Sequence, residues 1–128
     1  MKYLLDTHVF IWMANEPAKL SSTAAQLITD PANWLLLSLA SVWEMQIKIQ
    51  LGKMRLKLPL TELVAQQRQT NQIQLLPITF RHIITLENLP SHHKDPFDRL
   101  LIAQAIFEDI ALIGDDPLIA KYPVKVVW

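Results

Sequence analysis

Six of the twelve acidic residues lie where an apolar run ends or where a helix opens. These six are Asp6, Glu44, Asp95, Asp98, Asp115 and Asp116. In an open parallel sheet the loops after the strands meet at one edge, where such folds bind their ligands. Carboxylate oxygens without supporting histidine or cysteine ligands select magnesium or manganese over zinc. The pattern therefore predicts a site for a hard divalent cation.

Helix capping is the competing explanation for each acid. Asp6, Asp95 and Asp116 could each cap a helix, and Ser41 and Glu44 have the S-x-x-E spacing of a capping box. A cap contributes about 1 kcal/mol and needs no function. Capping does not explain convergence, because two carboxylates about 4 Å apart repel by roughly 4 kcal/mol at an effective dielectric of 20. A cluster would persist only if it were protonated, paired with arginine or bound to a cation.

The stretch Ser91–Ala105 places two of these acids at the start of one helix. Asp95 followed by Pro96 predicts an N-cap with proline at the first helical position, and Asp98 falls at the third position. The residues after it are apolar on nearly every side, as in a buried helix. Because this helix precedes a predicted strand, its acids reach the common edge only if the preceding loop folds over that edge.

Short apolar runs alternate with helical segments along the whole chain. The predicted strands are Lys2–Leu5, Trp34–Leu37, Ile73–Leu76, Ala111–Ile113 and Val124–Val127. The predicted helices cover about residues 9–14, 22–29, 41–51, 61–70, 79–87 and 96–108. Continuous apolar strands separated by helices are typical of a parallel sheet buried on both faces. We therefore expect an α/β fold and a single domain over residues 1–128.

Composition narrows the class of protein. A chain of 128 residues that is 51% hydrophobic is long and apolar enough to form one core. The absence of cysteine excludes a disulfide scaffold, cysteine-based zinc sites and thiol catalysis, and it fits a reducing cytosol. Twelve basic residues balance twelve acidic ones, so no basic excess points to nucleic acid, although the distribution of charge matters more than the sum. We recognise no signal peptide or membrane span and expect a soluble, cytoplasmic protein with no membrane partner.

Four segments carry a resemblance to a known family. They read L-L-D-T from Leu4, S-L-A-S-V-W-E from Ser38, D-P-F-D-R-L-L-I-A-Q-A from Asp95, and L-I-G-D-D-P-L-I-A-K-Y-P-V from Leu112. Together they resemble a PIN-domain ribonuclease, and more narrowly the VapC-type toxin of a type II toxin–antitoxin pair. The resemblance covers essentially the whole chain. It implies a three-layer α/β/α sandwich with a central, mostly parallel sheet of four to five strands.

The resemblance also implies a site and a reaction. The family's acidic set falls on Asp6, Glu44, Asp98 and Asp116, which would hold Mg²⁺ or Mn²⁺ as metal ligands and catalytic residues of a metal-dependent endoribonuclease. Four further residues are expected to lie next to these ligands and to support them without binding the metal directly: Thr7, Ser41, Asp95 and Asp115. One position departs from the family pattern: Gly114 stands where a serine or threonine often precedes the last acid by two positions.

Several basic residues are candidates for contact with an RNA substrate. They are Arg99, Lys94, His93 and Lys48. Arg99 is the only basic residue next to the acids within a helix, and the segment His92-His93-Lys94 lies just before Asp95. Since no histidine belongs to a paired metal-binding pattern, we otherwise expect the four histidines to be single surface residues.

The first predicted helix suggests a protein partner. Phe10, Ile11, Trp12 and Met13 are four consecutive large apolar residues, and a domain of this size cannot easily bury all of them. An exposed apolar remainder usually marks a partner surface. We expect a cognate antitoxin protein, and a homodimer, to use such surfaces.

Two alternatives remain open from the sequence. A phosphoreceiver-like regulatory domain also gathers acids and magnesium at strand ends, but here no pair of acids follows the first strand. A catalytically inactive PIN fold, used only for binding, has Gly114 as its single support.

Overall fold

In a computed structural model, which describes residues 1–128, five strands form one sheet in the order β3-β2-β1-β4-β5. The strands are β1 (Lys2–Leu5), β2 (Trp34–Ser38), β3 (Gln74–Leu76), β4 (Ala111–Ile113) and β5 (Val126–Val127). All four pairings between neighbours are parallel. The prediction of a parallel α/β sheet of four to five strands is therefore confirmed.

Six α-helices connect these strands. They are α1 (Thr7–Asn15), α2 (Ser22–Thr29), α3 (Leu39–Gln50), α4 (Leu60–Thr70), α5 (Phe80–Thr85) and α6 (Pro96–Glu108). Short 3-10 turns cover Pro17–Lys19, Leu86–Asn88 and Ile119–Lys121. A helix that could cross a bilayer, judged by its length and apolar character, does not occur among them.

Alternate residues of the strands supply two separate cores. In β1, Tyr3 and Leu5 join a cluster that includes side chains of α1, α2, α3 and α4. Leu4, between them, joins a second cluster that includes side chains of α6. Because successive strand residues point to opposite faces, the sheet is covered on both sides. This is the three-layer α/β/α arrangement that the resemblance implied.

The strand order determines where a ligand site can form. β1 lies between β2 and β4, and the chain leaves β1 to one side first and returns to the other side later. Its carboxyl end is therefore the point at which the strand order reverses, where parallel sheets bind their ligands. Asp6 is the first residue after β1, and α3 follows β2 directly.

The predicted capping box at the start of α3 is wrong. The N-cap is Ser38, whose Oγ accepts a hydrogen bond of 3.0 Å from the Ala40 amide. β2 runs straight into α3 without a loop, so the first hydroxyl after the apolar run becomes the cap. Ser41 and Glu44 consequently lie inside the helix, with their side chains free for other contacts.

The prediction that all four histidines are surface residues is also wrong. The side chain of His82 is fully buried, and that of His93 is 6% exposed. His82 occupies the third position of α5 and closes a capping box with Thr79: its Nδ1 accepts from the Thr79 amide at 3.0 Å. Packing of α5 against α6 buries this ring, a long-range effect that no local spacing reveals.

Candidate functional site

Asp6 lies at the carboxyl end of the central strand. Its amide donates to the Ile113 carbonyl at 3.0 Å, which extends the pairing of β1 and β4 by one residue. Although Asp6 stands at the N-cap position of α1, its side chain makes no capping hydrogen bond. The nearest cationic group is the His8 ring, 3.8 Å away, and the Asp6 carboxylate raises the pKa of His8. The carboxylate is therefore buried but not used by the helix that it precedes.

Glu44 lies in the second turn of α3, with a side chain that is 5% exposed. Its Oε2 is 3.0 Å from Lys48 Nζ, one helical turn later. Its Oε1 is buried and has no hydrogen-bond partner; the only other side-chain atom in that condition is Asn15 Oδ1. A buried acceptor left unpaired costs about 1–3 kcal/mol, so such an atom points to a ligand, water or ion.

Asp98 lies in the first turn of α6, where the charges of other acids affect its pKa. Burial, and then the charges of Asp95, Asp6 and Glu44, raise its pKa from 3.8 to about 6. The loop before α6 does fold over the sheet edge, as the sequence required for convergence, because His93 in that loop contacts Asp116 after β4. Asp95 is the N-cap that the sequence predicted, since its Oδ1 accepts from the Phe97 amide at 2.8 Å.

Asp116 follows β4 and is held by neighbours rather than left free. Its Oδ1 accepts from the Leu118 amide at 2.9 Å, and its Oδ2 is 2.7 Å from Nε2 of His93. Burial acts to raise its pKa, but the hydrogen bonds from His93 and Leu118 outweigh it, so the pKa is lowered. Asp115, beside it, is exposed.

A buried hydroxyl pair links the elements that carry the first two acids. Thr7 Oγ1 donates to Ser41 Oγ at 2.8 Å. Thr7 follows Asp6 and begins α1, whereas Ser41 lies one turn before Glu44 in α3. The bond therefore fixes the start of α1 against α3, and with it the separation of the two carboxylates.

Gly114 makes room for Asp6. A Cβ atom at this position would lie 3.2 Å from Asp6 Cβ and 3.0 Å from Leu112 Cδ2. Both distances are tighter than ordinary van der Waals contact, so a serine or threonine here would press on Asp6. The departure from the family pattern therefore has a steric reason in this chain.

The candidate RNA contacts are placed differently from one another. Lys94 is exposed at the mouth of α6. Arg99 is half-buried and donates from Nη1 to the Pro90 carbonyl at 3.0 Å. Lys48 is paired with Glu44, and His93 has both ring nitrogens engaged inside the protein.

The acids fit a divalent cation in chemistry. As the side chains stand, no group of three or more His, Asp or Glu residues could hold a metal ion. Even so, Glu44 Oε1 is buried without a partner, and the charges of Asp6 and Glu44 act together on Asp98. Hard oxygen donors with excess negative charge suit Mg²⁺ or Mn²⁺.

Comparisons with known proteins agree with this architecture. The model of the PIN domain family matches residues 3–125. Ribonuclease VapC22 of Mycobacterium tuberculosis (strain ATCC 25618 / H37Rv) is 32% identical over 114 residues, covering 88% of this chain and 85% of that protein. These two matches rule out the phosphoreceiver-like regulatory domain, because they assign the chain to a different family.

Solved structures share the fold. One chain of VapBC2 from Rickettsia felis, bound to a promoter DNA fragment, matches with a TM-score of 0.74 and 14% identity, covering 99% of this chain and 98% of that one. FitAcB from Neisseria gonorrhoeae matches with a TM-score of 0.63 and 19% identity, covering 98% and 96%. At these identities the likeness concerns the fold alone. The family model and the curated relative together show that the chain belongs to the PIN-domain family.

Proposed function

We propose that this protein is a metal-dependent endoribonuclease and the toxin of a toxin–antitoxin pair. The family, and the similarity to a protein named as a ribonuclease, support the class of reaction. One feature of the site carries the proposal for this chain: a buried carboxylate oxygen without a partner, Glu44 Oε1, lies among acids where burial and then like charges raise the pKa of Asp98 to about 6. Such a site is incomplete until a cation enters it.

Asp6, Glu44, Asp98 and Asp116 would hold the cation, Mg²⁺ or Mn²⁺. When bound, the ion supplies an activated water and stabilises the charge that develops on the phosphoryl group. The protein contributes the positions of the carboxylates: the Thr7–Ser41 bond fixes two of the elements that carry them, and the N-cap at Asp95 fixes a third. No side-chain nucleophile is needed.

Two exposed or half-exposed cations would contact the RNA backbone in this proposal. Lys94 and Arg99 flank Asp98 at the mouth of α6. The acidic side chains of the site would repel RNA phosphates. Basic side chains at its edge would offset that repulsion and bind the backbone. Lys48 has a different first task, since it neutralises one oxygen of Glu44.

RNA cleavage with matched aspartate variants tests the proposal. Asp98→Asn should lower EDTA-sensitive cleavage by several orders of magnitude while the protein stays folded. The control is Asp109→Asn at the other end of α6: Asp109 is exposed and has φ of 53°, a conformation that asparagine tolerates, so this variant should cleave like wild type. Activity that survives in Asp98→Asn, or that resists EDTA, contradicts the assignment.

An antitoxin is the proposed protein partner. The solved relatives include VapBC structures and a toxin–antitoxin complex from Klebsiella pneumoniae. In this chain Trp12 is half-buried between His8 and Trp128, at ring-centre distances of 5.9 and 5.8 Å. Trp12→Ala should weaken antitoxin binding in a pull-down more than it lowers the melting temperature. A variant that is globally unfolded by circular dichroism would return Trp12 to the core.

A homodimer is the second proposed assembly. Phe80, Ile83 and Phe107 are 75%, 50% and 42% exposed on α5 and α6, and Arg81 and Glu108 place opposite charges on the same two helices. A two-fold copy would cover the apolar side chains and pair the charges. Light scattering should give twice the monomer mass for wild type and a monomer for Phe80→Ser. A wild-type monomer at high concentration would refute this.

A further inference from the structure

Two buried rings form a hydrogen-bonded chain behind Asp116. His93 Nε2 lies 2.7 Å from Asp116 Oδ2, and His93 Nδ1 lies 2.9 Å from the Tyr122 hydroxyl oxygen. The backbone amide of His92 donates to the same hydroxyl oxygen at 3.0 Å. These hydrogen bonds join the loop before α6 to the loop after β4.

The hydrogen-bond partners determine which ring nitrogen of His93 donates to Asp116. An amide can only donate, so the Tyr122 oxygen accepts from His92 and its own hydrogen is free for His93 Nδ1. An ionised carboxylate can only accept, so His93 Nε2 carries the hydrogen that it donates to Asp116. When the ring is neutral, a Tyr122 hydroxyl that donates to Nδ1 corresponds to the Nε2–H tautomer.

Packing holds both rings in place. The side chain of His93 is 6% exposed and Tyr122 is 4% exposed. The His93 and Tyr122 rings stack with centres 5.4 Å apart and planes inclined by 29°. The Tyr122 ring also makes an edge-to-face contact with the His92 ring. Rings confined in this way present the Nε2–H donor in a fixed direction.

We propose that His93 and Tyr122 are positioning residues that orient the Asp116 carboxylate for the cation. The inference rests on the proposed function, and it replaces RNA contact as the role of His93. The Leu118 amide holds one Asp116 oxygen and His93 holds the other, so each oxygen keeps one lone pair that these donors do not use. Outer hydrogen bonds of this kind typically change metal affinity or activity by about 10–100-fold when removed.

Four variants test the inference. Tyr122→Phe removes only the hydroxyl, His93→Leu removes the donor to Asp116, and His93→Gln keeps a terminal amide donor. Tyr3→Phe is the matched control, because Tyr3 is also buried but its hydroxyl contacts only Met1 Sδ at 3.8 Å, at the other end of β1. The apparent affinity for Mn²⁺, from the concentration dependence of the melting temperature, should fall about 10–100-fold in His93→Leu and less in Tyr122→Phe. His93→Gln should recover part of the loss, and Tyr3→Phe should match wild type.

Two further readouts separate positioning from a general structural role. At one fixed pH, ¹⁵N NMR of the metal-free protein should show the His93 ring as the Nε2–H tautomer in wild type and a mixture in Tyr122→Phe. Cleavage by Tyr122→Phe should need more metal for half-saturation yet approach the wild-type maximal rate when saturated.

The outcomes are distinguishable. Folded Tyr122→Phe and His93→Leu proteins with the wild-type Mn²⁺ dependence, or an Nδ1–H tautomer in wild type, would overturn the inference and leave the proposed function intact. If His93→Leu does not fold, Tyr122→Phe alone decides. A wild-type protein that neither responds to Mn²⁺ nor cleaves RNA in an EDTA-sensitive way refutes the proposed function, and this inference with it.

Discussion

The carboxylates on the two sides of the site are in opposite states. Around Glu44 and Asp98, one buried oxygen has no partner, and burial together with like charges raises the pKa of Asp98 to about 6. Around Asp116, both oxygens accept hydrogen bonds and the pKa is lowered. On the Asp116 side the protein supplies a hydrogen-bond donor to each carboxylate oxygen, whereas on the other side Glu44 Oε1 has no donor. Under the proposed function, the cation would therefore compensate the charge on the side of Asp6, Glu44 and Asp98.

The largest expected effect compares the two sides directly. Asp6→Asn removes a charge from the unpaired side and, like Asp98→Asn, should reduce RNA cleavage by at least roughly 10²–10³-fold, the usual cost of losing one electrostatic group in a site. Asp116→Asn keeps only one of the two acceptor oxygens, but the charge that it removes is already compensated by the donors of His93 and Leu118, so it should cost less. Steady-state cleavage rates in saturating Mg²⁺ give the comparison. An Asp116→Asn variant with the lower rate of the two would reverse it.

The next effect is steric and concerns Gly114. Gly114→Ser places a Cβ atom 3.2 Å from Asp6 Cβ and 3.0 Å from Leu112 Cδ2. Overpacking of this kind costs about 1–3 kcal/mol, so urea unfolding should show a loss of that size together with a lower cleavage rate. If the serine variant is as stable as wild type and more active, the missing hydroxyl matters and the steric explanation is wrong.

The pH dependence of the metal-free protein sharpens the contrast between Asp98 and Asp116. The pKa of Asp98 is about 6 in the folded state and near 3.8 when unfolded, so between pH 4 and 6 the native state binds more protons and stability falls as pH rises. The lowered pKa of Asp116 acts in the other direction, and its stabilisation is lost only below about pH 4.

Thermal melts in EDTA from pH 4.5 to 6.5 should therefore show a falling melting temperature that Asp98→Asn removes in large part. His8 continues the fall above pH 6.5, because its raised pKa gives stability that disappears when it deprotonates. A melting temperature that rises across the lower window would be inconsistent with the raised pKa of Asp98.

The smallest effect is expected at Asp95. Its side chain caps α6 through the Phe97 amide, and asparagine caps a helix about equally well. Asp95→Asn should therefore change the free energy of unfolding by less than about 0.5 kcal/mol, whereas Asp95→Ala should cost about 1 kcal/mol. Chemical denaturation of the two variants provides the test. Near-complete loss of cleavage in Asp95→Asn, with stability unchanged, would move Asp95 into the metal site.

The fold was predictable because its signals are local. Apolar runs such as Trp34–Leu37 indicated the strands, and Asp95-Pro96 indicated the start of α6. The start of α3 was not predictable from spacing, since two hydroxyl residues compete and only the direct passage from β2 into α3 selects Ser38 as the cap. Local signals rank such candidates poorly.

Contacts in the site between residues far apart in the sequence could not be predicted from sequence spacing. His93 and Tyr122 are separated by 29 positions and meet only because the loop before α6 folds over the end of β4. The value of glycine at position 114 likewise depends on Asp6, which lies more than a hundred residues away. The acids themselves were predictable as candidates, but which of them is paired and which is not depended on the tertiary structure.

The metal dependence of stability in wild type and Glu44→Gln tests the central claim most directly. Binding to the native state alone stabilises a protein by about 2.7 kcal/mol when the ligand is at 100 times its Kd. Wild type should therefore gain melting temperature in Mg²⁺ or Mn²⁺ and lose the gain in EDTA. Glu44→Gln should gain little, because the proposed site then lacks one negative charge; its gain is measured from its own metal-free melting temperature, since the change also removes the ion pair with Lys48. A wild-type protein indifferent to both cations, or a Glu44→Gln variant that gains as much as wild type, would contradict the account.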